Sequence, residues 1–282
     1  MNNLKKVGLT ALGTVLVTSS AYAGSLSATG SASMTFVGQE QNDTGNGWSM
    51  GEEVTLSGSA ELDNGWTVTP SFQLDGGAGQ GNSFDNASIK IDMGDAGVMT
   101  FAGHGNSGAV NAIDDKTPSA NEEVWALVSG NDGAGNGNAT VDNNFTWSKA
   151  EVMEGLAVNA TYQPSDANNV EGTVEYGFTY TGIDNLTVGF ATGDNAAATA
   201  QIANTAVYAT YVMDSITVGI QMNESDSDTA NADEDFSAYS ISYAVNDDLS
   251  VSYGLAEVDY ESTSKESQES SGVSFSYTMG GM

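Results

Sequence analysis

The sequence predicts an all-β fold, a transmembrane antiparallel up-and-down β-barrel. Apolar and polar residues alternate with a period of two in many segments, such as 239–243 and 273–277, which is typical of strands with one apolar face. Tight polar turns recur about every 31 to 33 residues, which indicates one repeated hairpin. Short turns alternate strictly with long loops, as expected when they lie on opposite sides of a membrane.

The N-terminus has the organisation of a secretory signal peptide. Two lysines precede an apolar run at residues 7–17, and a small-x-small cleavage motif at Ala21 and Ala23 comes directly before Gly24. The apolar run is too short to cross a bilayer as a helix. We therefore assign residues 1–23 to a cleaved signal peptide and residues 24–282 to the barrel.

The charge composition excludes nucleic acid as a partner. The chain has 37 acidic residues, six lysines, no arginine and no cysteine, whereas phosphate binding requires Lys and Arg. His104 is the only histidine and the sole candidate base for a Ser/His pair, so a catalytic triad or a His-based metal site is unavailable within one chain. We expect no enzymatic activity, no cofactor and no metal centre. The acidic loop regions 224–228 and 233–235 lack a calcium-loop pattern and are compatible only with weak divalent-cation binding.

Fourteen strands follow from the alternation. Asn64 and Gly65 lie between the second and third strands, and Asn-Gly predicts a primed turn with positive φ angles. The fourth strand alternates between an apolar face and a face that carries Lys90 and Asp92. We place the strands at about 26–36, 54–62, 66–74, 87–93, 98–103, 145–150, 156–163, 172–181, 185–192, 203–213, 215–223, 236–245, 248–256 and 271–279.

Two sets of side chains are assigned to the two faces. Aromatic residues stand at a near-constant distance from the short turns, which indicates a girdle at one height in a membrane. The preference of tyrosine for strands explains their presence but not their register. The other face is built from small uncharged residues with few charges, which suits a lumen wall. The girdle residues are Trp66, Trp147, Tyr180, Tyr211, Tyr243 and Tyr277, and the charged wall residues are Glu61, Lys90, Asp92 and Glu175.

The turn spacing breaks once, between the fifth and sixth strands, where it reaches 58 residues. The insertion covers residues 104 to about 142, and a loop of this length is usually functional or disordered. Its charged residues have two interpretations, the lining of a constriction or ordinary solvated loop acids. These residues are Asp114, Asp115, Glu122, Glu123 and Asp132, with Lys116 as the nearby counter-charge.

The seven turns, the long insertion after the fifth strand and the signal peptide together resemble the general diffusion porins of the Gram-negative outer membrane. The resemblance implies sixteen strands, a homotrimer surrounded by outer-membrane lipid, and a third loop folded into the barrel to narrow a water-filled pore. Small hydrophilic solutes and ions would cross by passive diffusion, and the acidic composition favours cations.

Two features depart from the family. The sequence stops within the seventh turn, at Met279 to Met282, so we expect a continuation of on the order of 30 residues with two more strands. The absence of arginine removes the basic cluster that the family often sets opposite the loop acids.

Other protein classes share part of the pattern. A non-conducting surface or adhesin-like barrel would have the same strands without an open lumen. A soluble exported β-sandwich that acts as a binding module would also alternate, but it would mix turn lengths and carry charges of both signs on its polar face.

Overall fold

The computed structural model describes residues 27–36, 48–75, 85–106, 108–120, 123–124, 142–165, 172–196 and 201–278. Within these ranges the regular structure is antiparallel strand, apart from a single 3-10 turn at Gly94–Ala96. No helix in the described part of the chain is long and apolar enough to cross a membrane. The chain forms two compact units, residues 1–106 and 107–282.

In its described residues the first unit is a meander of six strands. Successive strands pair antiparallel, and the short β3 pairs with β4 beyond the end of β2. The prediction of one strand at 54–62 was wrong in its bounds, because pairing with β1 extends β2 back to Trp48 and the strand is interrupted before Ala60. The strands are β1 (Ser27–Phe36), β2 (Trp48–Ser57), β3 (Ala60–Glu61), β4 (Thr67–Asp75), β5 (Asn86–Asp92) and β6 (Val98–His104).

The part of the second unit that the structure describes is a meander of nine strands, in which neighbouring strands pair antiparallel. The longest ladder joins β11 to β12 from Ile202 and Ser227 to Met213 and Ile216. The strands are β7 (Asn144–Met153), β8 (Leu156–Gln163), β9 (Thr173–Ile183), β10 (Leu186–Ala196), β11 (Gln201–Met213), β12 (Ile216–Ser227), β13 (Glu234–Ala244), β14 (Leu249–Tyr260) and β15 (Gln268–Tyr277). The predicted all-β, up-and-down antiparallel fold is confirmed.

The second unit has two chemically distinct faces. Successive side chains of a strand point to opposite faces, and the register keeps like residues side by side. Large side chains such as Phe178, Ile241 and Phe275 are exposed on the apolar face, where the rings of Phe178 and Phe190 stack at 5.6 Å between centroids. The polar face carries Gly, Ala, Ser and a few amides. An extensive exposed apolar face is what contact with lipid requires.

Several strands continue past the predicted bounds on the side of the long connections. Glu224 and Asp226 belong to β12, while Glu234 and Asp235 belong to β13. The prediction that these acids form a surface loop was therefore wrong at these positions. Backbone pairing continues beyond the apolar segment, since Glu224 and Asp235 are direct cross-strand partners.

The tight turns depend on residues that tolerate a positive φ. Gly155, Asn185 and Asp214 have φ values of 74°, 63° and 52° in three of the short turns. The turn after β3 differs from the predicted primed geometry. Its positive φ falls on Gly65 at 81°, and the Gly65 N–H donates to the Leu62 carbonyl at 2.8 Å. Three-residue hairpin loops commonly have this arrangement.

The turns provide a test of backbone strain. Gly65→Ala should cost about 1 kcal/mol, because its φ is positive but no atom lies within 4 Å of an added β-carbon. Gly155→Ala should cost more, because its β-carbon would also meet the backbone of Gly182 well inside 3.0 Å. Gly58→Ala is the control, since its φ is not positive and its β-carbon would lie 3.9 Å from Pro70. Thermal unfolding in detergent, followed by electrophoretic mobility, gives the order; equal losses at Gly65 and Gly155 would contradict it.

Candidate functional site

A segment of the long insertion lies across the polar face of the second unit. We call residues 108–120 and 123–124 the docked segment, and the polar face of β9–β15 the wall. At one end the Val110 N–H donates to Glu175 Oε2 on β9 at 3.0 Å, and at the other end Val124 reaches Gly272 on β15. Six strand spacings separate these contacts, so the docked segment crosses about 29 Å of sheet.

Wall side chains hold the backbone of the docked segment in its middle. The amide of Gln221 donates from Nε2 to the Ile113 carbonyl at 3.0 Å, and Asn223 Nδ2 donates to the Asp114 carbonyl at 3.0 Å. Gln221 Nε2 also donates to Asn223 Oδ1 at 2.5 Å, which links the two amides. Both side chains are buried. Hydrogen bonds of this kind are costly to leave unmade once their groups are buried.

Serine hydroxyl groups of the wall hold the docked segment at residues 118 and 120. Ser240 Oγ donates to the Pro118 carbonyl at 2.7 Å, and the Ala120 N–H donates to Ser252 Oγ at 2.9 Å. Ser252 Oγ is in turn 2.7 Å from Ser274 Oγ on β15. The segment is therefore hydrogen-bonded in succession to β9, β12, β13 and β14.

Two apolar clusters complete the attachment. Val110 and Ile113 pack with Tyr208 and two wall alanines. Farther along, Val124 packs against a cluster that includes Phe236 and Val258. Large apolar side chains on an otherwise small and polar face are explained by these contacts, because each buries area against the docked segment.

Charges on the docked segment divide into buried and exposed groups. Asp114 is buried, with 7 % of its surface exposed, whereas Asp115 and Lys116 are exposed and Glu123 is half-buried. Burial, followed by the neighbouring carboxylate of Asp115, raises the pKa of Asp114 from 3.8 to about 7, with a smaller contribution from Glu175 and an opposing one from Lys116. Asp114 therefore carries only part of its charge at neutral pH.

The other predicted pore residues fall in three situations. Glu175 is fully buried beneath the docked segment. Glu61, Lys90 and Asp92 are exposed in the first unit, where Glu61 and Asp92 are cross-strand neighbours of Thr67 on either side. Glu122 and Asp132 lie outside the described residues, so their assignment to a constriction stays a prediction, as does the assignment of the whole group.

The predicted girdle residues of the second unit lie on its apolar face. Tyr211, Tyr243 and Tyr277 are 41 %, 47 % and 63 % exposed, and Trp147 and Tyr180 are half-buried there. In the first unit Trp66 is 38 % exposed directly after its turn. Their contact with a membrane interface stays a prediction. The signal-cleavage residues Ala21, Ala23 and Gly24 lie outside the described residues.

Sequence reasoning missed the wall residues that hold the docked segment, namely Gln221, Asn223, Ser240 and Ser252. The amide pair had a detectable signal, since Gln221 and Asn223 are large polar residues two apart on a face built mostly of small ones. The serines had none, because β13, β14 and β15 each carry more than one serine. His104 is half-buried at the end of β6. In the described part of the chain, no three or more His, Cys, Asp or Glu residues are arranged to hold a metal ion.

An antiparallel meander with an exposed apolar face, and with a loop docked on its polar face, is typical of the channel proteins of the outer membrane. The Gram-negative porin family matches residues 8–282, and the chain belongs to that family. It forms an outer-membrane porin channel, and this family and fold are those of channel proteins rather than enzymes.

Two solved structures of bacterial proteins have a similar fold. OmpT of Vibrio cholerae, in its trimer form, is 15 % identical with a TM-score of 0.63, over 89 % of this chain and 83 % of OmpT. OmpF of Salmonella typhi, in complex with daunomycin, is 15 % identical with a TM-score of 0.60, over 83 % of this chain and 78 % of OmpF. No curated protein matches the sequence.

The raised pKa of Asp114 predicts that the docked segment is held less tightly as the pH rises. A solvated Asp114 would ionise near its ordinary value of 3.8, whereas the docked one ionises near 7. The stabilising contribution of the protonated Asp114 is then fully present below pH 3.8 and is lost as the pH rises through about 7. Between pH 5 and 8, Asp114→Asn should gain roughly 1 to 3 kcal/mol relative to the parent.

Thermal unfolding of both proteins across this pH range measures the difference. Asp115→Asn is the control, because it removes an exposed neighbouring charge and should reproduce only part of the gain. If the parent and Asp114→Asn show parallel pH profiles, the burial of this carboxyl group does not influence docking.

Proposed function

We propose that the channel is a cation-preferring general diffusion pore through which small hydrophilic solutes and ions pass passively. The observation that carries the proposal is the attachment of the docked segment to the wall by its backbone. The carbonyl groups of Ile113, Asp114 and Pro118 face wall donors, while the side chains of Asp115 and Lys116 are exposed to solvent. A segment held in this way narrows a lumen without closing it.

The setting of the channel follows from the family. We propose that the protein is a homotrimer in outer-membrane lipid and that it reaches this membrane after cleavage between Ala23 and Gly24. The trimeric assembly is supported by the similar fold of OmpT, which was solved in a trimer form. Binding of divalent cations would be weak, at the acidic ends of β12 and β13. Neither a cofactor nor nucleic acid has a role in this proposal.

The sign of the charge supports the preference for cations. Without Lys5 and Lys6 the chain has four lysines against 37 acidic residues, and it has no arginine that could form a basic wall. Acidic groups along a pore raise the local concentration of cations and repel anions. Since screening lengths fall from about 30 Å at 0.01 M salt to about 3 Å at 1 M, the preference should be strong only at low salt.

The first test is the reversal potential across a KCl gradient in planar bilayers. The parent should conduct and prefer K⁺ over Cl⁻, and neutralising Asp114, Asp115, Glu122 and Glu123 to Asn or Gln should reduce the preference. The matched control neutralises the four exposed turn acids Asp184, Asp214, Asp247 and Asp248, which removes the same charge elsewhere. Absence of conductance would favour the non-conducting surface barrel. Equal effects of the two sets would indicate that the overall acidic charge causes the preference. They would contradict a constriction lined by the four loop acids.

A second test separates the two adjacent aspartates. At pH 6, Asp115→Asn should lower the K⁺ preference more than Asp114→Asn, because Asp115 is exposed and Asp114 is largely protonated below a pKa of about 7. At pH 9 the difference should narrow as Asp114 becomes fully charged. The same bilayer measurement at both pH values decides it, and a larger effect of Asp114→Asn at pH 6 would contradict the assignment.

A further inference from the structure

Pro118 of the docked segment lies directly against Gly219 on β12. A β-carbon built on Gly219 would fall well inside 3.0 Å of Pro118 Cδ, 3.2 Å from Pro118 Cγ and 3.3 Å from Thr210 Cγ2. Apart from atoms of its own residue and of the adjacent residues, a real β-carbon essentially never has a heavy atom within 3.0 Å. No side chain of any size fits at this position while Pro118 stays where it is.

The conformation of the backbone does not require this glycine. Gly219 lies inside a continuous ladder, opposite Thr210 on β11 and Ser240 on β13, and its φ is outside the positive range. A strand residue of this kind can be any amino acid, and glycine weakens a strand by roughly 0.5 to 1 kcal/mol relative to alanine. The space taken by Pro118 is therefore the reason for glycine at this position.

Pro118 is also held firmly in place. Its ring fixes φ, and its carbonyl is held by Ser240, with Ala120 held by Ser252 two residues later. Two other wall glycines lie close to the docked segment, but the side chain that they face can move. An added β-carbon on Gly254 or Gly272 would lie 3.3 Å or 3.2 Å from Val124 methyl groups, which can move by a few tenths of an ångström.

We propose that Gly219 is a positioning residue that sets the width of the pore. Its missing side chain lets Pro118 seat directly on β12, and this contact fixes how far the docked segment projects from the wall. The inference rests on the proposed channel function, since a width matters only to a conducting lumen. A methyl group at this position pushes the segment about 1 Å into the lumen, because packed atoms cannot interpenetrate.

Gly219→Ala tests the proposal in planar bilayers. Its single-channel conductance should fall by roughly a tenth to a quarter, because the open cross-section at the constriction limits the flow of ions. Gly254→Ala is the matched control, on the same wall and facing a side chain that can yield, and its conductance should stay closer to the parent value. A crystal structure of Gly219→Ala should show Pro118 displaced from β12.

The Pro118→Ala change supplies a double-mutant cycle. It removes the ring atoms that the new methyl group would meet, so Gly219→Ala should lower conductance much less in the Pro118→Ala background. If Gly219→Ala alone does not fold, the double variant should fold. Failure of both to fold would overturn the proposal, since the requirement for glycine would then have another cause.

The outcomes separate this inference from the proposed function. A conducting parent whose Gly219→Ala variant has unchanged conductance and an unmoved Pro118 overturns the positioning role and leaves the channel intact. A parent that does not conduct overturns the channel, and the pore-width role fails with it. In that case a displaced Pro118 in the variant crystal structure would still establish the steric contact alone.

Discussion

Hydrogen bonding between neighbouring strands is the constraint on which the rest of this structure depends. A chain that crosses hydrocarbon must pair its own N–H and carbonyl groups, and here each strand from β8 to β14 does so with the strand before it and the strand after it. From β10 to β15 successive strands pair without register shifts, which keeps alternate residues on one face over long distances. In the ladder from β11 to β12, Val207 therefore meets Met222 while Ala206 meets Asn223. The separation of an apolar surface from a polar wall follows directly.

The polar wall in turn explains how an irregular segment can be buried. Loops usually stay on the surface because their backbone groups need partners. The docked segment finds such partners in Gln221, Asn223, Ser240 and Ser252, which donate to its carbonyl groups or accept from its N–H groups. Small residues between these partners let it approach closely. Docking thus combines satisfied polar groups with two apolar clusters, and neither alone accounts for its path.

The sequence predicted the repeating part of the molecule well, because a period of two is a local property that each segment shows by itself. Strand bounds were less well predicted where pairing carries a strand past its alternating residues, as at Trp48 and Glu224. The long insertion was located by a break in spacing, but its path could not be predicted. The amides that hold it lie 108 and 109 residues farther along the chain, and only the folded register brings them beneath it. The burial of Glu175 and Asp114 follows from the same long-range contact.

The chemical identity of the atoms that dock the segment has a consequence for how the pore can change. The hydrogen bonds described between the wall and the segment all involve main-chain atoms of the segment, and every residue other than proline offers the same main-chain groups. These hydrogen bonds therefore constrain the course of the main chain, and side-chain identity matters only where the segment packs against the wall, as at Val110, Ile113, Pro118 and Val124. Residues at positions such as 115 and 116 can be exchanged while the path is kept, so the charge lining the passage and the shape of the passage are adjustable independently of one another.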